Sequence, residues 1–427
     1  MHPYHALVLP NGTIIQNRIA KAAMEENLAD QEQAPSDALI RLYQAWAQGG
    51  AGLIITGNVM VDRRAMTGPG TVVLDSAQYL PRFKAWATTA RAHGAQVWMQ
   101  INHPGRQMPA AMGQPTIAPS AVAMDLGKLS SQFGTPREMD EDDIADVKRR
   151  FVRTALLAKE CGFNGVEIHA AHGYLISQFL SPISNKRTDR WGGAIENRAR
   201  LLTDIVKEVR QAVGQDVAVA VKINSADFQR GGFSTDDAKQ VITLLNPLAI
   251  DLVELSGGSY EAPAMIGQAR DGRTLAREAY FLEFARDIAT VAKMPVMVTG
   301  GIRRYPIVEQ VLDSGLAMVG MATALAIDPR LPTTWRTDQA ATAMLRAVNW
   351  KNKVLASAAL MAMVKYQLRR VSRGQAPHPL VRPVFALLAQ QLQEAIQTQR
   401  YRRQMKAHEK NARTLAGRAK VFKSGET

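Results

Sequence analysis

One cysteine in 427 residues, Cys161, excludes an internal disulfide and leaves too few thiolates for an iron–sulfur cluster. It sits in the stretch ALLAKECGFNG at the end of a predicted helix, where a small buried residue is preferred over a reactive nucleophile. Long apolar runs are missing too. AGLIITGNVMV from Ala51 and PVMVTGG from Pro295 are short and broken by Gly or polar residues. A spanning helix needs about 20 apolar residues, so no transmembrane segment is expected. The N-terminal MHPYHALVLPNGT lacks the basic region, apolar stretch and cleavage site of a secretory signal, and a cytoplasmic location is the expectation. With 46% hydrophobic residues the chain can bury a large core in one or two domains, and disorder as the main state is excluded.

Acidic residues are scarce at one end only. Residues 331–427 hold 18 Lys and Arg against 4 Asp and Glu, which is the whole of the net charge of +14. Residues 1–330 are formally neutral, so the basic balance describes an appendage and says little about the active region.

What the body does contain is an alternation of β-rich runs and amphipathic stretches. Strands are expected at 17–24, 51–59, 95–102, 163–170, 217–224, 251–257, 295–301 and 316–322. Their apolar residues run nearly unbroken, which suits parallel strands covered on both faces. Between them the end signals of helices recur. Ser36 to Gln48 precedes a Gly-Gly stop, Asp140 to Lys159 carries acidic residues in its first turn, a stretch from Glu196 ends at Gly214, and Ser234 caps TDDAKQVITLL. Eight strand–helix repeats in about 300 residues argue for an α/β fold of the (β/α)8 TIM barrel type. A doubly wound open sheet is the alternative, weakened by the absence of GxGxxG after the first strand. Residues 1–330 are read as the barrel, with 103–139, rich in Gly, Pro, Ser and Met, as a lid or hairpin over the strand ends. Residues 331–427 are read as a basic helical extension, its end after Gln391 an exposed arm.

In such a barrel the chemistry gathers where the strands end. These edges are unusually polar: Gln100, Asn102 and His103 after strand three; Glu167, His169, His172 and Tyr174 at strand four; Lys222 and Asn224 at strand five. After strand seven, Gly300 and Gly301 expose backbone N–H groups in the manner of a phosphate cradle, with a plain turn as the alternative. His169 and His172 have workable spacing for a metal, but a third ligand is not evident and HEXXH is absent, so no metal is assigned. As catalytic donors they would hydrogen-bond one substrate oxygen and leave the Tyr174 hydroxyl to deliver a proton. Met60, Met66, Met108, Met112 and Met265 are candidates for an adaptable pocket, with core filler as the alternative.

The run HAAHGYLISQFLSPISNKRTDRWGGAIENRARLL at 169–202 resembles the signature region of the Old Yellow Enzyme family. The similarity extends over residues 1–330, with NRIAKAAM, VWMQINHPGRQ, VKINSADFQRGGFS and VTGGIR in family order. The resemblance implies a (β/α)8 barrel holding FMN, reduced by NAD(P)H, with hydride passing from flavin N5 to the β-carbon of an activated alkene. It implies that His169 and His172 bind the carbonyl or nitro oxygen of the substrate and that Tyr174 protonates the α-carbon. Gln100 and Lys222 would contact the polar edge of the flavin ring, Ala23, Met24 and Glu25 would pass beside it, and Asn58 or Gly57 would line it. Gly300 and Gly301 would approach the phosphate.

The chain departs from that family at three positions. Glu25 stands where Cys or Thr is common, and an ionised carboxylate there would make the flavin harder to reduce. Ala322-Thr323 stands where Gly-Arg is usual, so Thr323 offers the phosphate a hydroxyl in place of a guanidinium, with Arg303 as a compensating cation. Asn27 replaces a Tyr that closes on the substrate in some members. The small-molecule partner implied is an enone or a nitro compound. The alternative function is a flavin barrel with impaired catalysis, acting as a binding or scaffold protein through its basic helices. Flavin relatives that demethylate amines or reduce dienoyl-CoA carry a cluster-binding cysteine set that one Cys cannot provide. The extension suits packing on the barrel, a homo-oligomer partner or an anionic membrane surface. Nucleic acid is disfavoured, since no stacking aromatics interleave its cations.

Overall fold

Eight short strands, buried on both faces, close into one parallel barrel in a computed structural model that describes residues 1–264 and 278–424, with residues 353, 354 and 409–424 given by backbone alone. Met265 lies outside the described residues. The strands are β1 (Ile19–Lys21), β2 (Leu53–Ile55), β3 (Gln96–Asn102), β4 (Gly165–Ala170), β5 (Ala218–Asn224), β6 (Leu252–Ser256), β7 (Val296–Thr299) and β8 (Met318–Met321). Each pairs with the next, and β8 pairs with β1 to close the ring. The expected (β/α)8 TIM barrel is therefore the fold, and the open sheet is not. β1 is much shorter than the expected 17–24. Asn17 Oδ1 accepts from Ile19 N–H at its start, and after Lys21 the chain leaves the sheet and runs across the barrel mouth.

Period-two alternation divides the barrel interior into layers. The lower layer is apolar: Ala20, Leu53, Ile55, Trp98, Ala220, Leu252, Met297 and Met318 cluster there. An antiparallel pair, Leu7–Val8 with Ile14–Ile15, adds Leu7 and Ile15 to the same cluster. Two residues further along the same inward rows stand Gln100, Glu167, Lys222, Glu254 and Thr299, all buried. The sequence thus places an apolar floor under a polar mouth.

Helices cover the outside: α1 (Asp37–Ala47), α2 (Leu80–Arg91), α3 (Glu141–Glu160), α4 (Arg200–Val213), α5 (Thr235–Leu245), α6 (Leu282–Ala289), α7 (Tyr305–Asp313) and α8 (Thr323–Ile327). The lid segment carries three 3-10 turns, and its Ile117–Ala118 pairs parallel to Arg137–Glu138, so it is not a β-hairpin. The extension forms α9 (Lys353–Ser372) and α10 (Pro383–Ser424). α9 starts after Asn352, whose side chain caps it by accepting from Leu355 N–H at 3.1 Å.

At least as far as His408, α10 does not stand free. Gln397 donates to Asn27 O, Tyr401 Oη to Arg63 O and Arg402 Nε to Ala111 O, at 3.1, 2.9 and 2.7 Å. These acceptors lie beyond β1, β2 and β3, so α10 crosses the strand-end rim. Tyr401 and Met405 complete a buried cluster with Met60, Met66, Val73, Met108 and Met112. Those methionines are filler beneath a helix rather than pocket walls.

Candidate active site

The end of β4 builds the sharpest constellation. His169 is the last inward residue of its strand, and its Nδ1 accepts from Ala171 N–H at 3.2 Å. That contact puts the ring proton on Nε2, a donor left for another partner. Burial, then the nearby His172 and Lys222 charges, holds the His169 imidazole well below its usual range, so it is neutral at pH 7. His172 turns the chain at φ 60°, followed by Gly173 at φ 75°, where a Cβ would meet Gln107 Oε1 at 2.7 Å. The strained turn is clamped from three sides. His172 N–H donates to Asn224 Oδ1 at 3.0 Å, Gln107 Nε2 donates to His172 O at 3.0 Å, and His172 Nε2 lies 2.8 Å from Ser256 Oγ. Burial and Lys222 also hold His172 neutral.

The His169 ring packs edge-on against both His172 and Tyr174, with centroids 5.1 and 4.9 Å apart. Tyr174 is buried, and its Oη lies 2.9 Å from Tyr260 Oη. Burial, Tyr260 and the Glu25 charge push the Tyr174 phenol well above its usual range, so it keeps its proton. The three expected catalytic residues are thus brought together. Asn224 is the polar residue expected at the end of strand five; Tyr260 and Ser256 were not singled out from sequence, although the Gly257-Gly258 pair after β6 marks the same kind of edge as Gly300-Gly301.

Below them lies a buried charge network. Gln100 Nε2 donates to Glu167 Oε2 at 2.6 Å, and Lys222 Nζ pairs with Glu254 Oε1 at 2.7 Å, in register across β5 and β6. Burial and the Glu254 charge drive the Glu167 carboxyl well above the usual range. Against the same burial, Lys222 and a hydrogen bond from Glu167 hold Glu254 below it. Glu167 is accordingly the protonated member, and Lys222 is a balanced rather than a free cation.

The segment Ala23-Met24-Glu25 leaves β1 and runs against the β2 loop: a Cβ on Gly57 would lie 2.2 Å from Met24 O, and buried Asn58 follows. Glu25 pairs with Lys365 of α9 at 3.2 Å. Burial raises its carboxyl, but the Lys365 charge and hydrogen bonding outweigh this and bring it below the usual range. The carboxylate is therefore ionised with a cation at its side, from a helix that sequence alone did not connect to the site. A second buried trio, Lys21–Glu26–Tyr43, braces the same segment: Tyr43 Oη donates to Glu26 Oε1 at 2.7 Å and Lys21 Nζ to Ile55 O at 2.8 Å.

At the opposite side, Gly300 and Gly301 have φ of 152° and 73°, and a Cβ on Gly301 would strike the Tyr280 ring at 2.4 Å. Thr323 is exposed at the first turn of α8. Arg303, the expected compensating cation, donates instead to Glu278 at 2.9 Å. Whether these residues suit FMN turns on their donors and acceptors. Lys222 and Gln100 present a cation and an amide at the mouth, and inward-facing Asn102 keeps both amide atoms buried without a partner. The Gly300-Gly301 turn adds backbone N–H groups without side chains of its own, with the Tyr280 ring packed against it. This set fits a planar, hydrogen-bonding ring with a phosphate tail. Among the described residues no group of three or more His, Cys, Asp or Glu is arranged to hold a metal ion.

A parallel barrel with paired imidazoles, a protonated tyrosine and a buried cation and amide at its mouth suits the class of flavin-dependent oxidoreductases. The sequence profile of the NADH:flavin oxidoreductase / NADH oxidase family matches residues 7–341, and the chain belongs to that family. It is 35% identical over 356 residues to the NADH-dependent flavin oxidoreductase iliE of Hypocrea jecorina (strain QM6a), covering 78% of this chain and 88% of the relative. The iliE protein of Neonectria sp. (strain DH2) is 37% identical, and the chain spans 47% of that longer relative. Among solved structures, a 2-naphthoyl-CoA reductase in complex with 2-naphthoyl-CoA superposes with a TM-score of 0.72 at 27% identity, covering 78% of this chain and 51% of that one. The fold is shared with the Old Yellow Enzyme homologue of Zymomonas mobilis, with a TM-score of 0.68 at 22% identity over 80% of this chain and 94% of that one. The protein is an FMN-dependent NADH:flavin oxidoreductase of the Old Yellow Enzyme type.

Proposed function

We propose that this protein reduces C=C bonds activated by a carbonyl or nitro group, with NAD(P)H as the electron source. The names of its relatives favour NADH. Bound FMN supplies the two-electron transfer, with Gln100, Lys222, Ala23, Met24, Glu25 and Asn58 about its ring and Gly300, Gly301 and Thr323 toward its phosphate. The observation that carries this reading is the meeting of the free His169 Nε2–H, the His172 ring and the Tyr174 hydroxyl in one buried cluster. A neutral imidazole donor strengthens its hydrogen bond as negative charge grows on the substrate oxygen, without first having to lose a proton. His172, held by Ser256, offers that oxygen its second ring edge. Tyr174 holds its proton at Oη until the α-carbon needs it, and Tyr260 fixes the direction of that bond.

Anaerobic turnover of 2-cyclohexenone tests the assignment. Tyr174→Phe is expected to keep NADH-driven bleaching of the flavin within about twofold and to lose about 100-fold or more in alkene reduction. Unchanged alkene reduction in that variant would remove Tyr174 from the chemistry.

A further inference from the structure

The outer side of α10 is the surface whose composition calls for a partner. At about 100° per residue, Ala386, Gln390, Tyr401 and Met405 fall on the side turned to the protein and are buried. Val384, Phe385, Leu388, Leu392 and Ile396 fall on the other side and are 56%, 56%, 60%, 66% and 44% exposed. Further along, that same outward sector carries the exposed cations Arg403 and Lys406, with exposed Arg400 on its flank. The acidic residue of this stretch, Glu394, instead lies toward Lys365, at 4.0 Å. One face therefore reads apolar, then cationic, with no acidic side chain among these outward positions.

We propose that this face docks the enzyme on an anionic lipid surface, with the apolar half of α10 seated at the acyl boundary and the basic half among the headgroups. The charge pattern is complementary to such a surface, where buried apolar area and attraction to anionic lipid add. No helix among the described residues is long and apolar enough to cross a membrane, so the contact is with the surface. A second copy of the chain fits less well. The five apolar side chains offer roughly 500 Å², against about 800 Å² per partner in a stable dimer, and a facing copy brings further cations rather than carboxylates.

The inward side of α10 is bonded to Asn27, Arg63 and Ala111 at the barrel rim. Docking would hold the mouth within about one helix diameter, 10–12 Å, of the headgroups. Direct entry of an apolar substrate from the bilayer would then follow, a consequence that rests on the proposed alkene reductase activity, whereas the lipid contact does not.

Co-sedimentation of the full-length holoenzyme with vesicles tests the contact, using phosphatidylcholine alone and a three-to-one mixture with phosphatidylglycerol. The native protein should bind the mixed vesicles, release them at high salt, and bind the neutral ones at least tenfold more weakly. Leu388→Gln/Leu392→Gln and Arg400→Gln/Arg403→Gln/Lys406→Gln should each weaken binding at least tenfold with unchanged flavin content, circular dichroism and NADH-driven flavin bleaching. Absence of binding to mixed vesicles overturns the proposal, as does binding that survives the leucine changes. Light scattering that finds a dimer dissociated by the leucine pair would assign the face to a second copy instead.

Discussion

Glu25 and Lys365 form an ion pair at 3.2 Å whose members, in the proposed flavin site, would act with opposite sign on the ring. Together they are nearly neutral, so the penalty that a lone carboxylate would place on flavin reduction is largely offset. Glu25→Thr removes the nearer of the two carboxylates beside Lys365, leaving Glu394 at 4.0 Å, and is expected to raise the flavin midpoint potential, while Lys365→Met leaves Glu25 unbalanced and lowers it. A unit charge within about 8 Å at an effective dielectric near 20 is worth about 2 kcal/mol, or about 40 mV for a two-electron couple. Spectroelectrochemical titration reads both shifts; equal potentials in all three proteins would place the pair away from the ring. His169 and His172 set a second residue-scale expectation. The unfolded chain takes up protons as the pH falls through about 6.5, whereas burial keeps both folded imidazoles neutral well below that. More protons on the unfolded state mean that stability rises with pH in this window and is lost as the pH drops, by up to about 1.4 kcal/mol per unit for each His. Urea midpoints measured between pH 5 and 7 should fall more steeply for the native protein than for His169→Gln. Cys161 behaves as its sequence context implied: it is buried, and burial pushes its thiol up to about 11.

Elements whose ends are fixed by neighbouring residues were the legible ones. Ser36 and Ser234 cap α1 and α5, and Asp140 caps α3 by accepting from Asp143 N–H at 2.8 Å, with Asp143 returning the bond in a capping box. Asp140→Ala should cost about 1 kcal/mol in urea unfolding and leave turnover untouched, because the cap lies on the outer layer. The stretch from Glu196 was less legible. It divides into Ile195–Arg198 and α4, which ends at Gly214 with φ 74°. Strand lengths were harder still, since a residue belongs to β1 or β7 only if a distant strand pairs with it, and no local signal reports that.

At the scale of the molecule, α10 acts as a beam across the rim. Met405 is buried against the methionines of the β2 loop and the lid, so Met405→Ala should cost about 2–3 kcal/mol, read as a lower urea midpoint with an unchanged slope. A cost near zero would mean that the helix end detaches before the barrel unfolds. The C-terminal extension, α9 with α10, accounts for most of what sequence reading left out. Lys365 lies 340 residues from Glu25, and Tyr401 lies 338 from Arg63.

The sequence by itself determined the barrel, the order of its strands and the residues at their C-terminal edges, because alternation, caps and strand-end chemistry are properties of short windows. It also singled out His169, His172 and Tyr174, the proposed catalytic trio, whose members lie within six residues of one another. Only the tertiary structure decided that Glu25 is neutralised, that Lys222 is shared with Glu254, that Tyr260 meets Tyr174, and that the basic extension roofs the site. Each of these is a contact between groups far apart in the chain, on strands, helices or the loops between them, and its existence depends on how the ring closes.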